Sequence, residues 1–189
     1  MELDPKKFYR FIGPRGTVLV TTASKDGTIR ASPVSFVMPV SIDPPMIAIS
    51  LSLKTPLLDG IRETRQFAVN VPTVDILDRV WACSKGTVDD VNQIRKACLT
   101  EMPSLKLMSP LVAECVAWFE CLSEFYKEMG DHALIVGSIA YASVKDEIVG
   151  KDGNILLDKA RIPLHLGGSK FAITGQEMSV KDDSKQAGK

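Results

Sequence analysis

The sequence predicts a mainly β protein, an antiparallel barrel with a few short helices. Three observations predict it. Six or more segments carry strand patterns, Gly/Asp turns join several of them, and strand and helix do not alternate regularly. Hairpin-linked strands of this kind favour an antiparallel barrel over a doubly wound parallel sheet.

In chain order, TVLVTTA (17–23) is β-branched and apolar, and Asp26-Gly27 is a hairpin turn signal. IRASPVSFVMPV (29–40) is the return strand. Pro33 and Pro39 cannot donate to a ladder, so this strand is an edge, bulged or interrupted. SIDPP (41–45) is a turn, and MIAISLS (46–52) is apolar enough to be buried on both faces. Thr55 can cap a helix with Pro56 at its first position, running through LLDGIRETR. FAVNV (67–71) is a further strand. Thr73 can cap a second helix whose stripe is Ile76, Leu77, Val80 and Trp81. A third is expected from about Asp89 to Leu99, with Val91, Ile94 and Cys98 on one face.

Residues 111–128 fit strand or helix; β-branched and aromatic content and the following Gly-Asp turn favour strand. Alternation there puts Cys115, Ala117, Phe119 and Cys121 on one side and Glu114, Glu120 and Glu124 on the other. HALIVGSIAYASV (132–144) is a strand, KDGN (151–154) a turn, and PLHLGGSKFA (163–172) a short strand broken by two glycines. Residues 1–180 are expected to form one domain and 181–189 a disordered polar tail.

Lys plus Arg equals Asp plus Glu at 23 each, so no positive field is available for nucleic acid or an anionic membrane. MELDPKKFYR lacks an apolar segment, so no signal peptide is expected, and no run is long and apolar enough to span a membrane. Cys83, Cys98, Cys115 and Cys121 form no CxxC pair, and there are two histidines. No metal site is expected, and the thiols read as reduced, mostly core residues of a cytoplasmic protein.

Two segments carry candidate chemistry. Ser50, Ser52, Lys54 and Thr55 gather where a strand meets a helix. Hydroxyls, a lysine and the unpaired N–H groups of a helix start suit an anion such as a phosphate; an ordinary capped helix beside a solvated lysine is the plainer alternative. Ala31, Ser32 and Ser35 are small, and Pro33 interrupts strand pairing, so a flat ring can approach the chain closely there. A kinked edge strand is the plainer alternative. His132, just after a turn, and the paired glycines of LHLGGSKF (164–171) have structural readings of their own.

Together, GTVLVTTASKDGTIRASPVSFVMPVSIDPPMIAISLS, KTPLLDGIRETRQFAVNVP, GDHALIVGSI and LHLGGSKF resemble the flavin reductase-like FMN-binding split-barrel family, over roughly residues 8–175. The resemblance implies a split antiparallel β-barrel with Greek-key-like connections, a homodimer with FMN near the subunit interface. It implies that Ser50, Leu51, Ser52, Lys54 and Thr55 hold the FMN phosphate. It implies that Ala31, Ser32, Pro33, Val34, Ser35 and Phe36 lie along the isoalloxazine. His132 would stand near the flavin and the nicotinamide approach, as the one catalytic residue. The implied activity is NAD(P)H-dependent reduction of free flavin or another acceptor; the alternative is a flavoredoxin-like carrier exchanging electrons with protein partners. No GxGxxG sequence is present, so any NAD(P)H would bind at the flavin cleft itself.

Overall fold

The computed structural model describes residues 1–87 and 90–180. The tail expected to be disordered, and Asp89 at the expected start of the third helix, lie outside the described residues. The strands are β1 (Arg15–Gly16), β2 (Val18–Ala23), β3 (Ile29–Val34), β4 (Val37–Ser41), β5 (Met46–Ser52), β6 (Gln66–Val71), β7 (Glu101–Met102), β8 (Leu111–Val112), β9 (Ala117–Met129), β10 (His132–Val144), β11 (Pro163–Gly167) and β12 (Lys170–Ile173). The α-helices are α1 (Leu57–Thr64), α2 (Leu77–Cys83), α3 (Gln93–Lys96) and α4 (Leu157–Ala160).

One seven-stranded antiparallel sheet, in the order β3-β2-β6-β9-β10-β5-β4, makes the barrel. Its two edge strands, β3 and β4, are consecutive in sequence, and the barrel is split between them. The proline argument for residues 29–40 applies directly. The stretch is interrupted at Ser35 and Phe36, both halves are edges, and the β4–β5 register shifts after Pro39. β9 and β10 form the longest hairpin, turning at Gly130 with φ 65°. Residues 163–172 are a hairpin, β11 and β12, rather than one broken strand; Gly167 and Gly168 turn it with φ of 132° and 58°. β1, β11 and β12 form a second small sheet. Among the described residues no helix is long and apolar enough to cross a membrane.

Alternation along the central strands feeds two cores. Val20, Phe67, Val69, Cys121 and Ile135 pack inside the barrel with Leu57, Leu58 and Ile61 of α1. Leu19, Ala68 and Trp118 face outward under Ile76, Val80, Ile94 and Leu99. β10 crosses the inner core at Gly137, where an added Cβ would lie 2.7 Å from Cζ of the fully buried Phe67 and 3.2 Å from Cβ of Cys121. Gly137→Ala is expected to cost about 1–3 kcal/mol by overpacking. The check is a urea transition, whose midpoint should fall at unchanged slope.

Two expectations are corrected. Residues 46–52 are not buried on both faces: Met46, Ile47, Ser50 and Ser52 are half-buried, because β5 pairs with an edge strand and its end opens on a cleft. The third helix is only Gln93–Lys96; Val91 is 72% exposed and Cys98 adopts φ 57°, so Ile94 alone of that stripe is core. Glu120 lies on the face opposite Cys121, as alternation assigns, and is fully buried there. The segment before β8 folds over that face, and the Glu120 carboxylate accepts the backbone N–H groups of Leu105, Lys106 and Leu107 at 2.8, 2.7 and 3.1 Å.

Candidate functional site

At the split, β3 stops at Val34 and β4 resumes at Val37, so Ser35 and Phe36 form a gap in the wall. The Phe36 carbonyl accepts the Ser50 N–H at 2.9 Å and ties the gap to β5. A cavity of about 260 Å³ opens there. Ser32, Pro33, Val34, Ser35 and Phe36 line one side of it. Ser50, Leu51, Ser52, Thr55 and Leu57 line another, with His132. A second cavity of about 270 Å³ shares Ser32, Ser52 and Thr55 with the first. Ala31, Lys54, Ser84 and Gln93 also line it. The fold thus gathers every residue singled out in the sequence, with Ala31 and Lys54 at the second cavity and not the first.

The loop before α1 differs from expectation. Thr55 donates its N–H to the Ser52 carbonyl at 3.0 Å, so the chain turns there, Pro56 takes the cap position and the helix begins at Leu57. The Leu57 N–H reaches the Thr55 hydroxyl at 3.4 Å, Leu58 donates to the Thr55 carbonyl and Asp59 to the Pro56 carbonyl, both at 3.3 Å. The first-turn N–H groups expected to face an anion are therefore engaged locally. What remains is side-chain chemistry: the Lys54 ammonium and the Thr55 hydroxyl, which accepts from Leu57 and keeps its proton to donate.

Aromatic and basic groups surround the first cavity. The Phe36 ring lies 5.6 Å from the His132 ring and 6.2 Å from Tyr9. His132 Nδ1 is 2.7 Å from Asp131 Oδ1, and this contact is the largest cause holding the Asp131 carboxyl below its usual range. His165 is held at both nitrogens. Nε2 is 3.0 Å from the Gly168 carbonyl, which can only accept, so Nε2 carries the proton. Nδ1, 2.9 Å from the Ser35 hydroxyl, is then free to accept from it. In the second cavity the buried Gln93 accepts the Ala31 N–H at 2.8 Å, and a Cβ at Gly86 would overlap its amide.

Tyr9, Arg15, Gln93 and His165 were not singled out as site residues. His165 sits in the paired-glycine segment, which was its one signal; the others lie where the sequence has no marked pattern. The thiols hold no site chemistry. Cys83 lines the second cavity, but burial pushes it up to about 11, and burial likewise raises Cys115 and takes Cys121 to about 12. Cys98 is exposed, outside both cavities.

Fold and site together define a split antiparallel β-barrel with a ring-sized cleft at the split and a polar cavity adjoining it. Residues 10–165 match the model of the flavin reductase like domain, and the chain belongs to that family. A flavin reductase of Pseudomonas putida is 26% identical over 147 residues, covering 77% of this chain and 83% of its own. The crystal structure of nitrilotriacetate monooxygenase component B from Bacillus cereus superposes with a TM-score of 0.85 at 21% identity, over 95% of this chain and 98% of its own. Flavoredoxin from Methanosarcina acetivorans superposes with a TM-score of 0.85 at 18% identity, over 99% and 97%.

Proposed function

We propose that this chain is an FMN oxidoreductase of the flavin reductase type, taking electrons from NAD(P)H and passing them to free flavin or another acceptor. The observation that carries this reading is the pair of joined cavities at the split, one walled by Phe36 and small residues, the other lined by Lys54. A flat ring with a phosphate tail needs that combination. The donor set fits too: Arg15 lines the ring cavity, and its Nε and Nη2 are shielded from solvent with no hydrogen-bond partner. Bound FMN would supply hydride acceptance and electron release.

The protein's own groups position it. Lys54 balances phosphate charge, and the Thr55 hydroxyl donates to it. Ser32–Phe36 back the ring, with small side chains at Ser32 and Ser35, and Ala31 lies at the phosphate cavity. His132, oriented by Asp131, stands where a nicotinamide would approach. Hydride transfer needs stacking and no general base, so the lack of a triad is no obstacle. The homodimer belongs to the same reading: β4 and the turn after it expose Met38, Val40 and Ile42 beside an apolar groove containing Ile47, Phe119 and Ile139, a face a second copy would cover.

The test is the visible spectrum of the purified protein, before and after anaerobic NADH and NADPH. The expected result is a flavin spectrum that bleaches. A flavin spectrum that persists, but bleaches with a reduced redox protein, would make the chain a flavoredoxin-like carrier. A colourless protein that takes up no added FMN would end the flavin reading.

A further inference from the structure

Arg15 lines the ring cavity and, among the described residues, has no carboxylate to balance its charge. β1 carries it, paired with β11 so that Arg15 lies opposite His165. Its Nη1 donates to the Tyr9 carbonyl, with a longer contact of 3.5 Å to that of Ile12, which ties the guanidinium to the N-terminal segment. Its Cζ lies 5.4 Å from the Phe36 ring centre and 6.0 Å from that of Tyr9. Nε and Nη2 are closed off from solvent without an acceptor, and among the described residues Arg15 makes no ion pair. Desolvated, unpaired charged donors are costly, and they are retained where something outside the free chain accepts from them.

We propose that Arg15 is the cation that receives the pyrimidine end of bound FMN and favours its reduced form. This rests on the FMN reading above. With the phosphate at Lys54 in the second cavity, the ring would lie in the first, and Arg15 lines only the first of these two. An isoalloxazine has one apolar end and one end with two carbonyls and N1; a guanidinium with two unpartnered donor nitrogens matches the latter. Hydride uptake from NAD(P)H adds two electrons and one proton to the ring and leaves NAD(P)⁺. The ring then carries one negative charge, spread over N1 and its neighbouring carbonyl, and a desolvated guanidinium stabilises that state over the neutral oxidised one. His132 is less suited, because its Nδ1 is already engaged by the Asp131 carboxylate at 2.7 Å.

The experiment compares wild type, Arg15→Gln and Arg15→Lys at saturating FMN, by redox titration and by the near-ultraviolet spectrum of the dithionite-reduced protein. Melting curves confirm that the variants fold. Arg15→Gln is expected to move the two-electron equilibrium about tenfold toward oxidised flavin, a potential about 30 mV lower, and to raise the pH at which the reduced flavin loses its N1 proton. Arg15→Lys is expected to keep part of both effects. Wild-type potential in folded Arg15→Gln would overturn the proposal. A raised KM for NAD(P)H at that unchanged potential would reassign Arg15 to the nicotinamide nucleotide; loss of a dimer would reassign it to a subunit contact. If wild type itself binds no FMN, the underlying reading falls, and this proposal with it.

Discussion

Lys54→Glu is expected to lower affinity for FMN by about 30–100-fold, roughly 2–3 kcal/mol, and to leave affinity for riboflavin unchanged. The argument comes from the loop geometry. The first-turn N–H groups of α1 are spent on Thr55 and Pro56, so a phosphate bound there would depend on side chains, and Lys54 is the ammonium that lines that cavity. Lys54 is exposed, so its attraction is screened, and Lys54→Gln is expected to cost only about tenfold. Charge reversal adds repulsion of a phosphate that carries nearly two negative charges. Riboflavin has the same ring without the phosphate and isolates that contribution. Salt provides a second check: wild-type affinity for FMN should fall as ionic strength rises, and the dependence should flatten in Lys54→Glu. Equal losses for both ligands would mean that Lys54 acts through the shape of the loop.

The second large effect is on stability. Glu120→Ala is expected to destabilise the fold by about 3 kcal/mol, read from urea unfolding. One carboxylate serves three consecutive backbone donors at Leu105, Lys106 and Leu107, and no neighbouring side chain duplicates it there. Removing it leaves those donors without their acceptor over a fully buried position. Hydrogen exchange at the three amides should accelerate more than exchange in β9 itself, because the loop can lift before the sheet opens. Gln66 also receives the Met108 N–H at 2.8 Å, so the far end of the loop stays tethered. Glu120→Gln retains one carbonyl acceptor but presents an NH₂ group to other N–H groups, and should recover only part of the loss.

How far each feature could be read ahead depends on the range of the interaction behind it. Pro33 and Pro39 announced an interrupted edge strand because a missing N–H is a property of the residue itself. The hairpin at Gly130 and the helix after Pro56 were legible for the same reason. The burial of Glu120 was not legible because alternation assigns faces without saying what covers them; residues 105–107 do that, and they lie 13–15 positions away. The third helix was overextended because Val91 and Cys98 fit a helical spacing in a segment the chain does not keep helical.

The site divides in the same way. Hydroxyls and a lysine before Pro56, and small residues around Pro33, marked both halves of the cleft. That marking rested on segments whose residue types and order resemble a family, and the chain belongs to that family. The sequence by itself thus determined a split barrel and two segments suited to a ring and an anion. Only the tertiary structure decided that these segments share one cleft, that the first-turn N–H groups of α1 are engaged, and that Ser35 meets His165 across 130 residues. It alone set Arg15 at the ring cavity, with its Nε and Nη2 buried and unpartnered. The physical reason is that donors, acceptors and turn formers are properties of single residues, whereas burial and partnership are created only when distant strands close the barrel.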